Sequence, residues 1–249
     1  MFLRPAFGFR KCGIKAQRMG KAILAGVAIG VGVTSAFGAD DWGMRNEYSF
    51  RIPVFKDRLD LNASMHTRWR DDMDEFYRYG FYAGPDFHLG RHLAAGVRYG
   101  NIQEGEPGEF RTEHRLRQLL TPKFKLEDLG GGDSLLGAMS FALQNRLDLR
   151  IRRHADHENT WKYRFYPKVS YPVYKGEKIS ISPYAGNAFY FDLTDGIAYN
   201  ENKTYGGLSF RLFKQFTVDC YYMRSVERNG AGGPWTGRHW VGTAVNFEL

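Results

Sequence analysis

The chain has 249 residues, with 35 basic and 27 acidic side chains, 43% hydrophobic residues and 16% aromatic residues. Six of the basic residues lie within the first 39 positions, which contain no acid, so 29 basic residues face 27 acidic ones in the remainder. This near balance excludes a nucleic-acid-binding domain, whose basic excess persists in the folded part. The apolar and aromatic content excludes a disordered chain.

The beginning of the chain has the pattern of a secretory signal peptide. An apolar run, Ala22–Ala36, directly follows two basic residues, and small residues precede a cleavage site after Gly38. The run is shorter than the about 20 apolar residues that a membrane-spanning helix needs. We therefore predict a signal peptide at 1–38 and an exported domain at 39–249. An uncleaved membrane anchor is the alternative, and Met19 is a second candidate for the start of translation.

Beyond this leader, apolar and polar residues alternate with a period of two in eleven segments of about ten residues. The third segment places Tyr77, Tyr79 and Phe81 on its apolar face, and the last alternates up to Leu249. The predicted strands are 42–52, 59–70, 77–89, 93–99, 110–120, 141–152, 161–173, 179–191, 204–212, 216–222 and 239–249.

The two faces of these predicted strands differ sharply in charge. In the chosen register the apolar face carries no charged residue, whereas the other face collects 17 cations and eight acids. Such a sheet either packs its apolar face against a second sheet in a soluble sandwich or closes with that face toward lipid. The candidate residues on the charged face, which would line the lumen of a closed barrel, are Arg68, Arg98, Arg115, Arg117, Arg146, Arg150, Arg164, Glu113 and Asp148.

Three features favour the closed barrel over the sandwich. Segments of about ten residues fit a tilted membrane-spanning strand, aromatic residues gather at the segment ends, and short connections alternate with long ones. Trp240 alone of these aromatics falls on the inward face. We therefore predict an all-β, antiparallel up-and-down barrel of 10–12 strands. Because bacterial barrels have even numbers of strands, a count of 12 is preferred over the eleven segments found. The difference would be explained by a strand hidden in 119–139, or by residues 40–52 being split or misassigned.

Several short motifs resemble one bacterial family. They are EHRLRQ at 113–118, NRLDLRIR at 145–152 and YRFYPKV at 163–169, together with DWGMRNEYSF at 41–50 and HTRWR at 66–70. The chain resembles the domain of unknown function 2490 family, which implies an outer-membrane β-barrel without an assigned reaction or known catalytic residues. A more distant likeness, in size and in an Arg-rich lumen, is to the small oligogalacturonate-specific porins, and it serves as an analogy only.

Arginine at every second position of a strand has two interpretations. Such side chains project to one side at about 6.6–6.8 Å spacing, and their planar guanidinium groups bind carboxylate, sulfate or phosphate in a bidentate manner. The first interpretation is therefore a narrow pathway for small anions, including acidic oligosaccharides. The second is a closed lumen in which Arg and the acids Glu113 and Asp148 brace the wall, leaving surface loops to act.

An enzyme is the rival class, and it lacks sequence support. The chain contains no Gly-X-Ser-X-Gly motif, and His66 and His114, the nearest candidates for a lipid-modifying hydrolase, have no adjacent serine motif. His154 and His157 on one loop, and the acidic residues at 71–75 on another, are more typical of solvated loops than of metal sites. We therefore predict no enzymatic activity, no metal and no cofactor.

The predicted location determines the predicted partners. An exported barrel of this kind belongs in the bacterial outer membrane, in contact with lipid and lipopolysaccharide. Because unpaired strand edges are not tolerated in lipid, the outer-membrane barrel-assembly machinery is expected as a partner during insertion. A small anionic solute is the expected ligand if the lumen is open.

Overall fold

The structure is a computed structural model. It describes residues 41–55, 58–106, 108–129, 135–152, 159–194, 198–213, 215–228 and 233–249. The signal peptide predicted at 1–38 lies outside these residues. Within the described ranges no helix is long and apolar enough to cross a membrane.

Strands make up nearly all of the described chain. Two single turns of 3-10 helix, Leu126–Leu129 and Leu135–Ala138, separate β5 from β6. The strands are β1 (Asp41–Phe55), β2 (Leu59–Arg70), β3 (Glu75–His88), β4 (Leu93–Glu104), β5 (Arg111–Lys125), β6 (Ser140–Arg152), β7 (Thr160–Ser170), β8 (Tyr174–Lys175), β9 (Ile179–Asp192), β10 (Ala198–Leu212), β11 (Phe216–Arg228) and β12 (Trp235–Glu248).

Eleven of these strands close into a barrel, which confirms the predicted fold. Each wall strand pairs in antiparallel fashion with the next one in the wall, and the two-residue β8 lies outside the ring, paired to the start of β9. The ring closes through parallel pairing of β1 with β12, from Asp41 opposite Arg238 to Arg51 opposite Glu248.

The preferred even count is therefore wrong, and the eleven segments of the sequence correspond to the eleven wall strands. An odd number of alternating strands brings the first and last strands together in the same direction, and a parallel ladder joins them. No strand hides in the described part of 119–139, because residues up to Lys125 extend β5 and 3-10 turns follow. β1 runs unbroken from Asp41 to Phe55.

The apolar face of the wall points outward and the charged face points into the lumen. Phe50, Ile52 and Phe81 are 42%, 47% and 53% exposed, whereas Arg115 and Asp148 are 4% and 1% exposed. A soluble sandwich would bury the first group and expose the second. The alternation of period two thus separates an apolar outer surface from a charged interior.

One residue departs from the predicted register. Tyr77, assigned to the apolar face, lies inside the barrel because the pairing of β2 with β3 shifts by one residue there. Arg68 faces Arg78 but Trp69 faces Phe76, so Tyr77 is the extra residue of a β-bulge. It is buried beside Met223 and Trp240. Trp240 points inward, as predicted.

Aromatic side chains ring the outward face at both ends of the barrel. At the end of the longer connections, Trp69 contacts Phe76, with ring centroids 5.2 Å apart, and Tyr199 contacts Trp235 at 5.5 Å. At the end of the short turns, the corresponding contacts are Phe50 with Phe247 at 5.0 Å and Phe124 with Phe141 at 5.3 Å. An apolar band therefore lies between two aromatic belts.

Gly84 permits a close approach of β3 to β4, and we expect Gly84→Ala to destabilise the barrel. A Cβ there would collide with the carbonyl oxygen of Val97 and lie 2.8 Å from the Cα of Arg98. The expected loss is about 1–3 kcal/mol in the free energy of unfolding, measured by urea titration in micelles. Gly206→Ala is the matched control, since a Cβ at Gly206 meets nothing within 4 Å. Equal stability of the two variants would contradict the close approach.

Candidate anion-binding site

The pairing of the strands places arginines directly beside one another in the lumen. Five cross-strand pairs consist of two arginines each: Arg45 with Arg68, Arg68 with Arg78, Arg98 with Arg117, Arg115 with Arg150, and Arg146 with Arg164. Like charges in directly opposed positions are destabilising. The lumen therefore requires groups that offset this repulsion.

Two buried acids offset part of it between β5 and β6. Asp148 accepts a hydrogen bond from Arg117 Nε at 3.0 Å and lies 3.1 Å from Arg146 Nη2. Glu113 accepts hydrogen bonds from Arg115 and, at 2.9 Å, from Arg152 Nε. Each acid thus serves two arginines, as the bracing interpretation predicts.

Three further acids, on β1, β3 and β4, each pair with one arginine. Asp86 accepts hydrogen bonds from Arg98 Nη2 at 2.7 Å and from Asn62 Nδ2 at 2.9 Å. Glu47 accepts one from Arg45 at 3.0 Å. Glu104 forms an ion pair with Arg78 at 3.2 Å. Ion pairs therefore brace much of the wall, within a strand at Glu47 and between neighbouring strands at Asp86 and Glu104.

The seven arginines singled out from the sequence divide into two groups. Arg98, Arg115, Arg117 and Arg146 take part in the ion pairs above. Arg68, Arg150 and Arg164 have no acidic partner within 4 Å among the residues that the structure describes. Burying a charge without a counter-charge is costly, so this second group is the one that a bound anion would stabilise.

A central chamber of about 230 Å³ lies between the arginine rows. Of the described residues that line it, nine are cationic and two, Glu47 and Asp219, are acidic. The lining includes Arg68 and Arg164 as well as Lys168, which also lacks an acidic partner in the described ranges. The structure thus brings six of the seven arginines to one chamber and leaves out Arg150.

A wider vestibule of about 420 Å³ adjoins the chamber at the short-turn end. Four cations and one acid, Glu127, line it among the described residues, together with Ser140, Ser170, Ser180, Ser182 and Ser209. Lys168 and Tyr184 line both spaces, and Lys168 Nζ lies 3.8 Å from the centre of the Tyr184 ring. This cation–π contact marks the boundary between vestibule and chamber.

An apolar cluster fills the lumen toward the opposite end. Tyr77, Met223 and Trp240 are 7%, 2% and 4% exposed, and Tyr205 and Tyr221 pack against them. Ile102 is also fully buried. Among the described residues, the lumen therefore contains a cationic vestibule and chamber toward one end and an apolar cluster toward the other.

Tyrosines form a part of the chamber that the sequence analysis did not identify. Six of them are among its described lining residues: Tyr82, Tyr166, Tyr184, Tyr190, Tyr205 and Tyr221. The signal was present in ISISPYAGNAFYFD of β9, where Tyr184 and Tyr190 alternate with the outward Phe189 and Phe191. Only the register of β9 shows that these rings point inward.

The two histidines considered for catalysis lie on opposite faces of the wall. His66 is buried in the lumen and stacks on Tyr82, with ring centroids 5.4 Å apart. His114 is on the outer face, where its Nδ1 is hydrogen-bonded to the Tyr99 hydroxyl. In the described part of the chain, no group of three His, Cys, Asp or Glu residues could hold a metal. His154 and His157 lie outside that part.

The acidic turn at 71–75 is compensated by its own arginine. Arg70 donates two hydrogen bonds to Glu75, at 2.9 and 2.6 Å, and lies 3.6 Å from Asp71. A hydrogen bond to Glu75 raises the pKa of the Asp71 carboxyl. Residues Asp71, Asp72 and Met73 all have positive φ angles, of 51°, 55° and 73°. The turn is therefore held by an internal ion-pair cluster.

Comparison with known families shows to which family the chain belongs. A family model described as protein of unknown function (DUF2490) matches residues 38–236. The chain belongs to this family. The membership confirms the resemblance seen in the arginine-alternating motifs, and the match includes every strand that contributes an arginine to the chamber. No curated protein matches the chain.

In this DUF2490 barrel, we expect Asp148→Asn to be strongly destabilising because it leaves Arg117 and Arg146 buried without a counter-charge. The expected loss is about 3–5 kcal/mol in the free energy of unfolding, measured in micelles. Glu127→Gln is the control, since Glu127 pairs with Lys125 where both side chains are about half exposed, and such pairs contribute about 0–1 kcal/mol. A loss at Asp148 no greater than that of the control would show that the ion pairs do not brace the wall.

Proposed function

We propose that the protein is an outer-membrane barrel whose lumen binds small anionic solutes entering from the short-turn side. The observation that carries this proposal is the chamber lining, with nine cations against two acids and with Arg68, Arg164 and Lys168 lacking acidic partners among the described residues. No enzymatic step is part of the proposal, and neither a metal nor a cofactor is expected.

The outward face supports insertion in a membrane. Its apolar positions on β1 run from Trp42 to Val54, about 40 Å along the strand and about 30 Å along the barrel axis at a tilt of about 40°. That height matches a hydrocarbon core of about 30 Å, and the aromatic belts lie where the two interfaces would be. Membrane lipid and lipopolysaccharide would contact this surface, and the barrel-assembly machinery would insert it.

The proposed orientation rests on the three short connections at the vestibule end, 56–58, 89–92 and 213–215. The predicted alternation of short and long connections does not hold throughout, because the two longest connections, 126–139 and 171–178, lie at the same end. Bacterial barrels place short turns in the periplasm and long loops outside the cell. The vestibule would then face the periplasm, and the cluster of Tyr77, Met223 and Trp240 would face the cell exterior.

The chemistry of the chamber favours anions over other solutes. Arg68 and Arg164 offer planar guanidinium donors that bind an oxyanion through paired hydrogen bonds, and Lys168 adds a point charge at the entrance. An anion would offset the buried positive charge that the acids leave uncompensated. Rings of cationic side chains select anions in pores by the same means.

The apolar cluster limits what the lumen does in this conformation. Because Tyr77, Met223 and Trp240 occupy the lumen beyond the chamber, we expect saturable binding rather than permanent conductance, and passage across the membrane would require this cluster to move. A purely structural barrel is the second candidate. The buried pairs at Asp148 and Glu113 favour it, since they brace the wall without any ligand.

We expect the protein to fractionate with the outer membrane and to migrate differently on gels before and after heating, because a closed barrel stays folded in detergent until heated. Sucrose-gradient fractionation followed by electrophoresis measures both properties. Recovery of folded protein in the soluble periplasmic fraction would contradict the membrane location.

We expect inorganic phosphate to bind the purified barrel saturably, and Arg164→Gln to weaken that binding by about tenfold or more, because hydrogen bonds to charged groups contribute about 1.5–3 kcal/mol. Isothermal titration calorimetry in micelles measures the affinity. Arg91→Gln is the control, since Arg91 is an exposed residue of a turn, paired with Asp128. Phosphate binding that is absent, or that does not depend on Arg164, would favour the structural barrel.

A further inference from the structure

The chamber has two chemically different halves. All eight arginines among its described lining residues lie on β1 to β7, whereas five of its six tyrosines lie on β7 to β11. The lumen therefore presents a cationic wall on one side and a phenolic wall on the other. A ligand in the chamber would contact both walls, since about 230 Å³ corresponds to about eight water molecules at about 30 Å³ each.

The tyrosine rings lie against the wall rather than across the lumen. At Gly186 an added Cβ would lie 2.7 Å from Cε2 of Tyr166, and at Gly207 one would lie 2.9 Å from Cζ of Tyr184. Gly242 is covered in the same way by the ring of Tyr221. Because glycine leaves space beneath each ring, one face of the ring packs on the backbone and the other is directed to the lumen.

These rings form a continuous strip. The Tyr166 and Tyr205 centroids are 5.3 Å apart, and those of Tyr205 and Tyr221 are 6.0 Å apart. Some tyrosines already bind cations, since Arg117 lies 3.8 Å over Tyr82 and Lys168 lies 3.8 Å over Tyr184. No cation lies over Tyr205 or Tyr221 in the described part of the barrel. Both rings also contact the cluster of Tyr77, Met223 and Trp240. Tyr221 lines the chamber, lies over Gly242 and carries no cation among the described residues, so it is the ring that we assign to a ligand.

We propose that the ligand of the chamber is an organic anion whose acidic group is carried on a six-membered ring. The acidic group would bind Arg68 and Arg164, and the flat face of the ring would stack on Tyr221, whose plane is tilted by 55° from that of Tyr205. An inorganic anion would use only the cationic wall. This inference rests on the proposed function, because it specifies the solute of the same chamber.

Two kinds of compound share this chemistry, a sugar acid and an aromatic acid. The apolar face of a pyranose ring and the face of a benzene ring both stack on tyrosine. The vestibule adds five serine hydroxyls next to Lys168, Lys175 and Arg211, which supply hydrogen bonds to a polar solute on its way in. The test therefore includes one probe of each kind.

Isothermal titration calorimetry on the purified barrel in micelles, with glucuronate, benzoate, acetate and inorganic phosphate, tests the proposal. Glucuronate or benzoate is expected to bind about three- to tenfold more tightly than acetate, since an aromatic contact contributes about 0.5–1.5 kcal/mol. Tyr221→Leu should abolish this advantage, so that the ring-bearing acids and acetate bind this variant with equal affinity, whereas Tyr221→Phe, which keeps the ring, should retain the advantage. Tyr48→Leu, on the outer face of β1, is the control and should behave as the unaltered protein does.

The outcomes separate the two proposals. Preference for glucuronate alone, or for benzoate alone, supports the inference and identifies the kind of ring. Equal affinities for acetate and both ring-bearing acids would overturn the inference and leave the anion-binding lumen standing. An advantage that persists in Tyr221→Leu would likewise overturn the stacking role. Failure of all four probes to bind would remove the proposed function itself.

Discussion

The structure depends on keeping rows of like charge side by side inside a closed wall. Strand pairing puts arginine opposite arginine at five places, and each such contact is repulsive. Acids shared between two arginines, above all Asp148 and Glu113, offset part of this repulsion. Around the central chamber the acids offset only part of the repulsion, and the remaining positive charge is what would attract an anion. The arginines of the lumen therefore affect both the stability of the barrel and the kind of ligand that we propose for it.

Pairs of tyrosine and glycine determine how much of the lumen remains empty. Among the described residues, the lumen already holds eight arginines around the chamber, and six tyrosines share the same space. Tyr166, Tyr184 and Tyr221 lie over glycines of the neighbouring strands. Their hydroxyl groups and ring faces line the chamber without filling it. The apolar cluster at Trp240 occupies the lumen on the side of the chamber away from the vestibule.

The alternation of the sequence was sufficient to predict the strands, the direction of each face and the inward position of all seven candidate arginines, because side-chain direction repeats every two residues. It could not show the bulge at Tyr77, which depends on how β3 pairs with β2. Nor could it show which arginines would be paired, since Arg117 and Asp148 are 31 residues apart and Arg152 and Glu113 are 39 apart. The strand count failed for another reason: the even-number rule assumes antiparallel closure, and this ring closes in parallel.

The parallel junction between the first and last strands has a consequence for how the barrel is made. Asn46 accepts a hydrogen bond from Thr243, 197 residues away, and the amide of Leu249 donates one to the Arg51 carbonyl. These bonds form only when the whole chain has been synthesised, and a parallel ladder is slightly weaker per residue than an antiparallel one. In a chain that stops before β12, the edges of β1 and β11 have no strand to pair with. Completion of the wall thus waits for β12, and the ladder that completes it is the parallel one, with eleven paired positions from Asp41 to Arg51.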